Sequence, residues 1–269
     1  MAELDLLSTD FDGTLVGFGG DGRCCGAFAE VLNEHRRLRG LWAVNTGRNL
    51  EFAVEGLAHF GGPAAPDFLL TNERDIFRRT GAGTWEAHGE WNAECARRHD
   101  ELFETRADIF REIARMTVTW EGLQLIEEAG RPAGLVAENE GIMAEVVTAL
   151  AELARDVPEF SYQRNTIYLR FCHIAYDKGS ALAELASLEG IPAEKIFAAG
   201  DHFNDLPMLT GSVAAHVACP ANAIVEVKDV VRGAGGYISK YEHGEGVADA
   251  IIHMRTRDQG SRAGVQPVA

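Results

Sequence analysis

The sequence predicts an α/β fold in which a doubly wound parallel sheet is interrupted by an inserted α+β domain. Strand and helix patterns alternate over the first 75 residues, strand–turn–strand patterns fill the middle of the chain, and the alternation returns near residue 175. The chain has 269 residues, of which 46% are hydrophobic, so it can form more than one small domain. We therefore expect a core of residues 1–76 and 175–269 and an inserted domain of residues 77–174.

The two ends of the chain show the alternation most clearly. Near the N-terminus, buried-strand patterns alternate with helical patterns in LDLLST, GAFAEVLNEHRRLRG, LWAVNT, NLEFAVEGLAHFGG and DFLLTN. The same rhythm resumes toward the C-terminus in DKGSALAELASLEG, KIFAAGD, VAAHVA and GEGVADAIIHMR. Such alternation predicts parallel strands joined by right-handed crossovers.

From about Ile76 onward, the middle of the chain has a different pattern of predicted strands and helices. Short strands around polar turns are predicted for IFRRTGAGTWEAHGEW, LQLIEEAGRPAGLVAE and FSYQRNTIYLRFCH. Helices are predicted for AECARRHDELFETRADIFREIAR, as one long helix, and for IMAEVVTALAELARD. Antiparallel strands with two helices indicate an α+β domain in its own right.

The strong negative charge of the chain limits its partners. At a formal net charge of −16 the protein repels nucleic acid and anionic membrane surfaces, so we expect neither as a partner. No apolar run approaches the roughly 20 residues of a membrane span, and the first residues lack the features of a signal peptide. The five cysteines show no metal-type spacing, which favours reduced thiols. We expect a cytoplasmic protein, and the sequence leaves monomer and homodimer open.

Two aspartates follow the first predicted strand, with only Phe11 between them. Asp10 and Asp12 lie at the carboxyl end of that strand, which is where ligands bind in open α/β sheets. Two carboxylates so close raise each other's pKa unless a cation lies between them. A hard divalent cation such as Mg²⁺, which prefers oxygen ligands, would resolve the repulsion. The alternative is a solvated polar turn.

A second acidic cluster follows a later strand, in GDHFNDLPML at residues 200–209. Asp201 is the expected metal ligand, because it lies directly at the strand end. Asp205 could orient the metal ligands or waters without binding the metal directly. An N-capping aspartate at the start of a polar helix would account for only one of the three residues Asp201, Asn204 and Asp205.

Two further motifs suit a phosphate group. NTGR at residues 45–48 ends the second strand, where the Thr46 hydroxyl and the Gly47 backbone could bind an anion near a helix start. Arg48 adds a fork-shaped donor that could face the substrate. For the motif as a whole, a plain helix cap is the alternative. Lys178 precedes the helix where the parallel core resumes, and it could neutralise both a phosphate and a nucleophile.

Taken together, the motifs resemble those of the haloacid dehalogenase superfamily. The resemblance consists of DxDGT at 10–14, Thr46, Lys178 and GDxxND at 200–205, and it spans about residues 1–255. It implies a Rossmann-like core. The insertion resembles the type IIB cap of Cof-like sugar phosphatases and sucrose-phosphate phosphatases. The stretches PDFLLTNERDIFR and WEAHGEW are closer to the sucrose-phosphatase-like branch.

The resemblance implies a role for each motif residue. Asp10 would be the nucleophile that forms an aspartyl-phosphate, and Asp12 would protonate the leaving oxygen and then activate water. The Mg²⁺ ligands would be the Asp10 side chain, the Asp12 backbone carbonyl and Asp201, with Asp205 in support. The groups around the phosphoryl oxygens would be Thr46, Gly47, Arg48, Lys178 and Asn204.

The implied function is a Mg²⁺-dependent phosphatase acting on a sugar phosphate or a similar small phosphorylated metabolite. Two alternatives remain: a phosphomutase resembling phosphomannomutase, and a binding module without turnover. The mixed charges of the long cap helix disfavour the mutase, and the presence of Asp10, Asp12 and Lys178 disfavours the binding module. Cap residues that could reach a sugar, or could simply pack, are Trp85, Trp91, Arg164, Tyr168 and Arg170. His202 could be a surface residue or a substrate contact.

Overall fold

A computed structural model of the chain describes residues 4–17, 19–128 and 130–262. The core ranges predicted from the sequence also include residues 1–3, 18 and 263–269, which lie outside the described residues. The chain divides into two compact units. The first unit combines Met1–Gly89 with Lys178–Ala269, and the second is Glu90–Asp177.

The elements follow one another in chain order. The first half contains β1 (Leu6–Thr9), α1 (Gly26–Arg37), β2 (Leu41–Asn45), α2 (Leu50–Phe60), β3 (Phe68–Thr71), β4 (Asp75–Arg79), β5 (Trp85–Ala87), α3 (Trp91–Thr105), α4 (Ala107–Thr119), β6 (Leu123–Glu128) and β7 (Arg131–Ala137). The second half contains α5 (Glu140–Ala154), β8 (Phe160–Asn165), β9 (Tyr168–His173), α6 (Lys178–Glu189), β10 (Ile196–Ala199), β11 (His216–Cys219), α7 (Val225–Gly233), β12 (Tyr237–Ile238) and α8 (His243–Arg262). Short 3₁₀ helices span Ala193–Lys195 and Phe203–Met208.

The first unit is built on an eight-stranded sheet with the order β12-β11-β10-β1-β2-β3-β4-β5. The strands from β12 to β3 are parallel, and β4 and β5 extend the sheet in antiparallel pairing. This mixed sheet with flanking helices confirms the α/β fold predicted from the sequence. The chain passes from β1 toward β3 on one side and returns through β10 to β12 on the other, so the sheet order reverses beside β1.

The hairpin of β4 and β5 belongs to the sheet of the first unit. Phe77 pairs with Leu69 of β3 and with Ala87 of β5, which makes the hairpin the continuation of β3. The sequence division at residue 76 assigned this hairpin to the inserted domain, whereas the second unit begins at Glu90 and ends at Asp177. A short antiparallel strand has the same local pattern whichever sheet it joins, so the pattern alone does not place it.

The core of the first unit surrounds the central strand β1, whose four residues are all buried. Trp42 on β2 is fully buried, and its indole Nε1 donates a hydrogen bond to Thr9 Oγ1 at 3.0 Å. Its ring meets Phe28 of α1 edge-on at 5.7 Å between centroids. A central parallel strand is covered on both faces, which is why all four residues of β1 are buried rather than alternately buried and exposed.

The second unit is an antiparallel sheet with the order β6-β7-β9-β8, together with α3, α4 and α5. Its core includes a cluster of Phe110, Phe160 and Phe171. The single long helix predicted for this region is two helices, α3 and α4, that meet at Arg106. The buried residues of α3 are Cys95, His99 and Leu102, three or four residues apart. The next position with this spacing is Arg106. Ending α3 there keeps the guanidinium partly exposed and paired with Asp108.

Among the described helices, none combines the length and the apolar content that a bilayer span requires.

Candidate active site

The candidate site lies where the sheet order reverses, at the carboxyl ends of β1 and β10. Thr9 is in register with Ala199 across these two strands, and the Asp10 N–H donates to the Ala199 carbonyl at 2.9 Å. Asp10 and Asp201 therefore follow two neighbouring strand ends. This is the place at which open α/β sheets bind ligands, as the sequence prediction assumed.

Lys178, the first residue of α6, lies at the centre of the site. Its side chain is fully buried, and Nζ donates to Asp10 Oδ1 at 2.6 Å and to Asp205 Oδ1 at 2.7 Å. Glu73 Oε2 lies 3.9 Å from the same nitrogen. One ammonium thus holds together carboxylates from three separate segments of the chain.

Asp205 fixes the loop that follows β10. Its Oδ2 accepts hydrogen bonds from the backbone N–H groups of Asp201 at 2.8 Å and His202 at 3.0 Å. The side chain is fully buried, with its other oxygen on Lys178. Asp205 therefore couples the position of Asp201 to that of the lysine. His202 is buried rather than on the surface, and its ring packs edge-on against Phe203.

The turn after β1 requires the glycine of the DxDGT motif. Gly13 has a φ of +84°, and a Cβ there would lie 2.3 Å from Asp201 Oδ2. The next residue, Thr14, donates from Oγ1 to Asp201 Oδ1 at 2.7 Å. The turn thus brings the first motif into direct contact with the carboxylate of the last motif.

The buried carboxylates outnumber the cation, and the pKa values reflect that excess of negative charge. Burial raises the pKa of Asp10 well above its usual range, and the charge of Asp205 adds to the effect although Lys178 opposes it. Burial and Asp205 likewise raise the pKa of Asp201 to about 7. Burial alone would lower the pKa of Lys178, but Asp10, Asp205 and Glu73 together raise it well above normal. The cluster therefore favours an additional positive charge.

The donor atoms of the cluster suit a hard divalent cation. Asp10, Asp201 and Asp205 each place a carboxylate oxygen within 4.8 Å of the others. Asp10 Oδ2 is buried and has no hydrogen-bond partner among the described residues. Buried polar atoms without a partner are rare, and an all-oxygen set with surplus negative charge fits Mg²⁺. The Asp12 carboxylate is not part of this group; the contribution predicted for Asp12 is its backbone oxygen.

Arg48 pairs with Asp12. The guanidinium donates from Nε to Asp12 Oδ2 and from Nη2 to Asp12 Oδ1, both at 2.7 Å. Its Cζ lies 5.0 Å from the centroid of the Phe11 ring, and Nη1 donates to the Phe52 carbonyl. This two-point ion pair is half-exposed, and it raises the pKa of Arg48. Arg48 therefore contacts Asp12 in this structure, whereas the sequence suggested a donor facing the substrate.

The NTGR loop approaches the cluster through Thr46 and Gly47. Thr46 is buried, and its Oγ1 accepts a hydrogen bond from the Arg48 N–H at 3.2 Å. A Cβ on Gly47 would lie 2.4 Å from Glu73 Oε1, so a larger residue there would require the Glu73 carboxylate to shift. The cap of α2 is Asn49, whose side chain accepts from the Phe52 N–H at 2.9 Å.

Glu73 is a residue of the site that the sequence prediction missed. It is 6% exposed, and its carboxylate accepts from Asn204 Nδ2 at distances of 3.1 and 3.4 Å to its two oxygens. Glu73 follows β3 by two residues, which is the signal that identified Asp10 and Asp201. It was overlooked because TNER is also typical of a polar turn.

The residues predicted to reach a sugar lie in both units. Trp85 is in β5 of the first unit. Within the second unit, the Trp91 ring meets Tyr176 edge-on at 5.1 Å, and Tyr168 is exposed. The two arginines have partners there as well: Arg164 donates to the Thr166 carbonyl, and Arg170 pairs with Glu128 at 3.1 Å. A substrate contact for any of them stays a prediction.

Several known proteins are similar to part or all of this chain. A family model described as haloacid dehalogenase-like hydrolase matches residues 131–251. A phosphoglycolate phosphatase of Thermoplasma volcanium is 36% identical over 78 residues, which are 29% of this chain and 32% of that protein. A glucosylglycerol-phosphate synthase of Pseudomonas anguilliseptica is 27% identical over 77% of this chain and 25% of its own length. The chain thus spans about a third or less of these relatives.

The fold is similar to that of a solved sucrose-phosphatase from Synechocystis in complex with sucrose and phosphate. The TM-score is 0.72 at 20% sequence identity, over 94% of this chain and 98% of that chain. The family match and the shared fold confirm the resemblance predicted from the motifs. The family model covers residues 131–251, and the fold of the chain is similar to that of the sucrose-phosphatase.

Proposed function

We propose that the protein is a Mg²⁺-dependent phosphatase that hydrolyses a small phosphorylated metabolite. The observation that carries the proposal is the buried Asp10 carboxylate, which has one oxygen on Lys178 at 2.6 Å and the other without a partner among the described residues. The lysine fixes the orientation of the carboxylate, and the second oxygen is open to a ligand. The phosphatase names of two similar proteins support the same reaction class.

Asp10 acts as the nucleophile of this reaction. One of its carboxylate oxygens forms a bond to phosphorus while the bond from phosphorus to the leaving oxygen breaks, which gives an aspartyl-phosphate and an alcohol. Asp12 donates a proton to the leaving oxygen and then takes a proton from the water that hydrolyses the aspartyl-phosphate. Arg48 binds both oxygens of the ionised Asp12 carboxylate at 2.7 Å, which is the form that takes the proton from water. This ion pair must open, and Asp12 must be protonated, before Asp12 donates a proton to the leaving oxygen.

The other residues hold the phosphoryl group and balance its charge. We assign Lys178, which contacts Asp10, together with Asn204, Thr46 and the Gly47 backbone to the phosphoryl oxygens. Phosphoryl transfer depends mainly on such positioning and on charge neutralisation. Bound Mg²⁺ would neutralise charge on the phosphoryl oxygens. Its ligands would be Asp10, the Asp12 backbone oxygen and Asp201, with Asp205 holding Asp201 in place.

The names of the similar proteins suggest which substrates to test. They point to phosphoglycolate, sucrose phosphate and glucosylglycerol phosphate, each of which is a phosphomonoester of a small hydroxylated molecule. Specificity within this class would come from the inserted unit, Glu90–Asp177.

The test is phosphate release from these three compounds and from p-nitrophenyl phosphate, with Mg²⁺ and with EDTA. We expect release that EDTA and Asp10→Asn abolish. The control is Asp229→Asn, which removes an exposed carboxylate that pairs with Arg232, and it should leave turnover intact. Turnover that persists in Asp10→Asn would contradict the role of the nucleophile. The absence of any release from well-folded protein would contradict the proposed function for this panel.

A further inference from the structure

The Glu73 carboxylate lies among the groups assigned above to the phosphoryl oxygens. Asn204 Nδ2 donates to Oε1 at 3.1 Å, Lys178 Nζ is 3.9 Å from Oε2, and a Cβ on Gly47 would lie 2.4 Å from Oε1. An anion bound by Lys178, Asn204 and the Gly47 backbone would therefore have Glu73 as a direct neighbour. This inference rests on the proposed function, because it takes those groups as the phosphoryl site.

The local backbone does not explain why glutamate occupies this position. Asn72 and Glu73 both have positive φ, at +52° and +67°, and the Arg74 N–H closes the turn on the Thr71 carbonyl. Two consecutive positive φ values favour the pair Asn-Gly, because glycine adopts them without steric cost. A non-glycine residue held in this conformation indicates a function for its side chain.

The charge of Glu73 limits which anions can bind beside it. The cluster already holds Asp10, Asp201 and Asp205 against the one ammonium of Lys178. A carboxylate has about four acceptor sites and no donor, so it can accept a hydrogen bond from a ligand while it accepts one from Asn204. A neighbouring anion that offers only acceptor oxygens would instead be repelled at close range.

We propose that Glu73 makes the phosphoryl site selective for tetrahedral anions that carry an O–H group. Inorganic phosphate at neutral pH retains at least one O–H, and a phosphomonoester carries one when singly ionised. Sulfate has the same shape but no O–H. Glu73 accepts the hydrogen bond of the first two and rejects sulfate. It is thus a specificity residue that contacts the phosphoryl group beside Lys178 and Asn204.

The test compares inorganic phosphate with sulfate as ligands of the full chain and of Glu73→Gln. The glutamine side chain has the same shape, carries no charge and can donate a hydrogen bond. Binding is read from the thermal midpoint and from inhibition of p-nitrophenyl phosphate hydrolysis with Mg²⁺. In the wild type we expect sulfate to bind at least about tenfold more weakly than phosphate, the factor for one hydrogen bond to a charged group. Glu73→Gln should bind sulfate about tenfold or more tightly than the wild type does.

Two further variants separate selectivity from a structural role. Asp75→Asn removes a carboxylate from the same loop, where Asp75 accepts from Asn72 Nδ2 at 2.9 Å, and it should keep the wild-type preference for phosphate. Glu73→Gly suits the positive φ and should lose that preference as Glu73→Gln does. Equal weakening of both anions in the Glu73 variants would indicate a structural role and overturn the proposal.

The thermal readout keeps this inference separate from the proposed function. Phosphate and sulfate also stabilise proteins generally, because both are excluded from protein surfaces. The quantity compared is therefore the difference between wild type and variant in the shift of the thermal midpoint that each salt causes. A preference for phosphate that disappears in Glu73→Gln would support the inference even if no substrate is hydrolysed. Equal binding of phosphate and sulfate by the wild type would overturn it, even if the hydrolysis is confirmed.

Discussion

The buried cluster around Lys178 and the exposed network on α3 contain the same kinds of charges at the same distances. Lys178 lies 2.6 Å from Asp10, and on α3 Arg97 lies 2.6 Å from Glu94. Their surroundings differ completely. The Lys178 and Asp10 side chains are 0% and 4% exposed, whereas those of Arg97 and Glu94 are 56% and 44% exposed.

Burial, rather than distance, decides what these ion pairs do. On α3, hydrogen bonds from Arg97 lower the pKa of Glu94 to about 2, but solvent screens this pair and it contributes little to stability. In the cluster, burial raises the pKa of Asp10, and the nearby charges of Asp205 and Asp201 raise it further. The contact with Lys178 lowers this pKa but does not outweigh the other effects. The buried charges therefore depend on one another, and each substitution there should have a large effect.

Removing the central lysine should have the largest effect on stability. Lys178→Met leaves buried carboxylates without their cation, and we expect a loss of about 3–5 kcal/mol in the free energy of unfolding. Urea unfolding at pH 7 measures it. The matched control is Lys195→Met, which breaks a half-exposed pair with Asp5 at 2.9 Å and should cost at most about 1 kcal/mol. Equal losses in the two variants would refute the distinction between buried and exposed pairs.

Neutralising Asp10 should lower the activity of the protein and raise its thermal stability. Asp10→Asn removes the proposed nucleophile, and kcat should fall by at least about 10³-fold. Burial and Asp205 raise the pKa of Asp10, so the folded chain favours the uncharged form and the amide should raise the thermal midpoint in EDTA. A lower midpoint would show that the bond to Lys178 outweighs the repulsion among the carboxylates.

The metal-free protein should lose stability as the pH rises toward neutrality. The pKa of Asp201 is 3.8 ordinarily and about 7 in the folded chain, so between these values the folded state binds more protons than the unfolded state. Its contribution to stability is therefore present at about pH 4 and is lost by about pH 7. Urea unfolding in EDTA across this window, compared with Asp201→Asn, should show a smaller decline in the variant. An equal decline in both proteins would assign the effect to other groups.

Removing an arginine from α3 should have the smallest effect. Arg97→Ala breaks contacts with Glu94 and Glu101, all of them at the surface. We expect the urea midpoint to change little at low salt and not measurably at high salt, because screening already weakens these pairs. A large loss that persists in high salt would mean that the arginine stem contributes by packing.

The sequence predicted the strand–helix rhythm and the segments that meet at the site. Asp10 and Asp201 could be found because each follows a run of buried residues, and Lys178 because it marks the return of that rhythm. The structure brings these residues together, while their chemical roles stay predictions. The membership of the β4–β5 hairpin was not predictable, because strand pairing depends on contacts between distant segments rather than on local periodicity.

Side-chain partners were harder to predict than positions. Arg48 was expected at the substrate, yet a guanidinium two residues beyond Thr46 can also turn back and form two hydrogen bonds with Asp12. Glu73 was missed because the direction of its side chain follows from two consecutive positive φ values, which a sequence pattern does not specify. Both residues lie in turns, where a small backbone change redirects a side chain completely.

The place of β1 in the sheet also matters while the chain is being synthesised. One edge of β1 pairs with β2, which follows it closely, but the other edge pairs with β10, which is made only after the whole of the second unit. At about 5–20 residues per second, a ribosome needs roughly 8–30 s to pass from β2 to β10. For that time a strand whose four residues are all buried in the folded protein has an open edge, which is where mispairing with other chains begins. The same interval must pass before Asp10 can meet Asp201, so the site is completed late in synthesis.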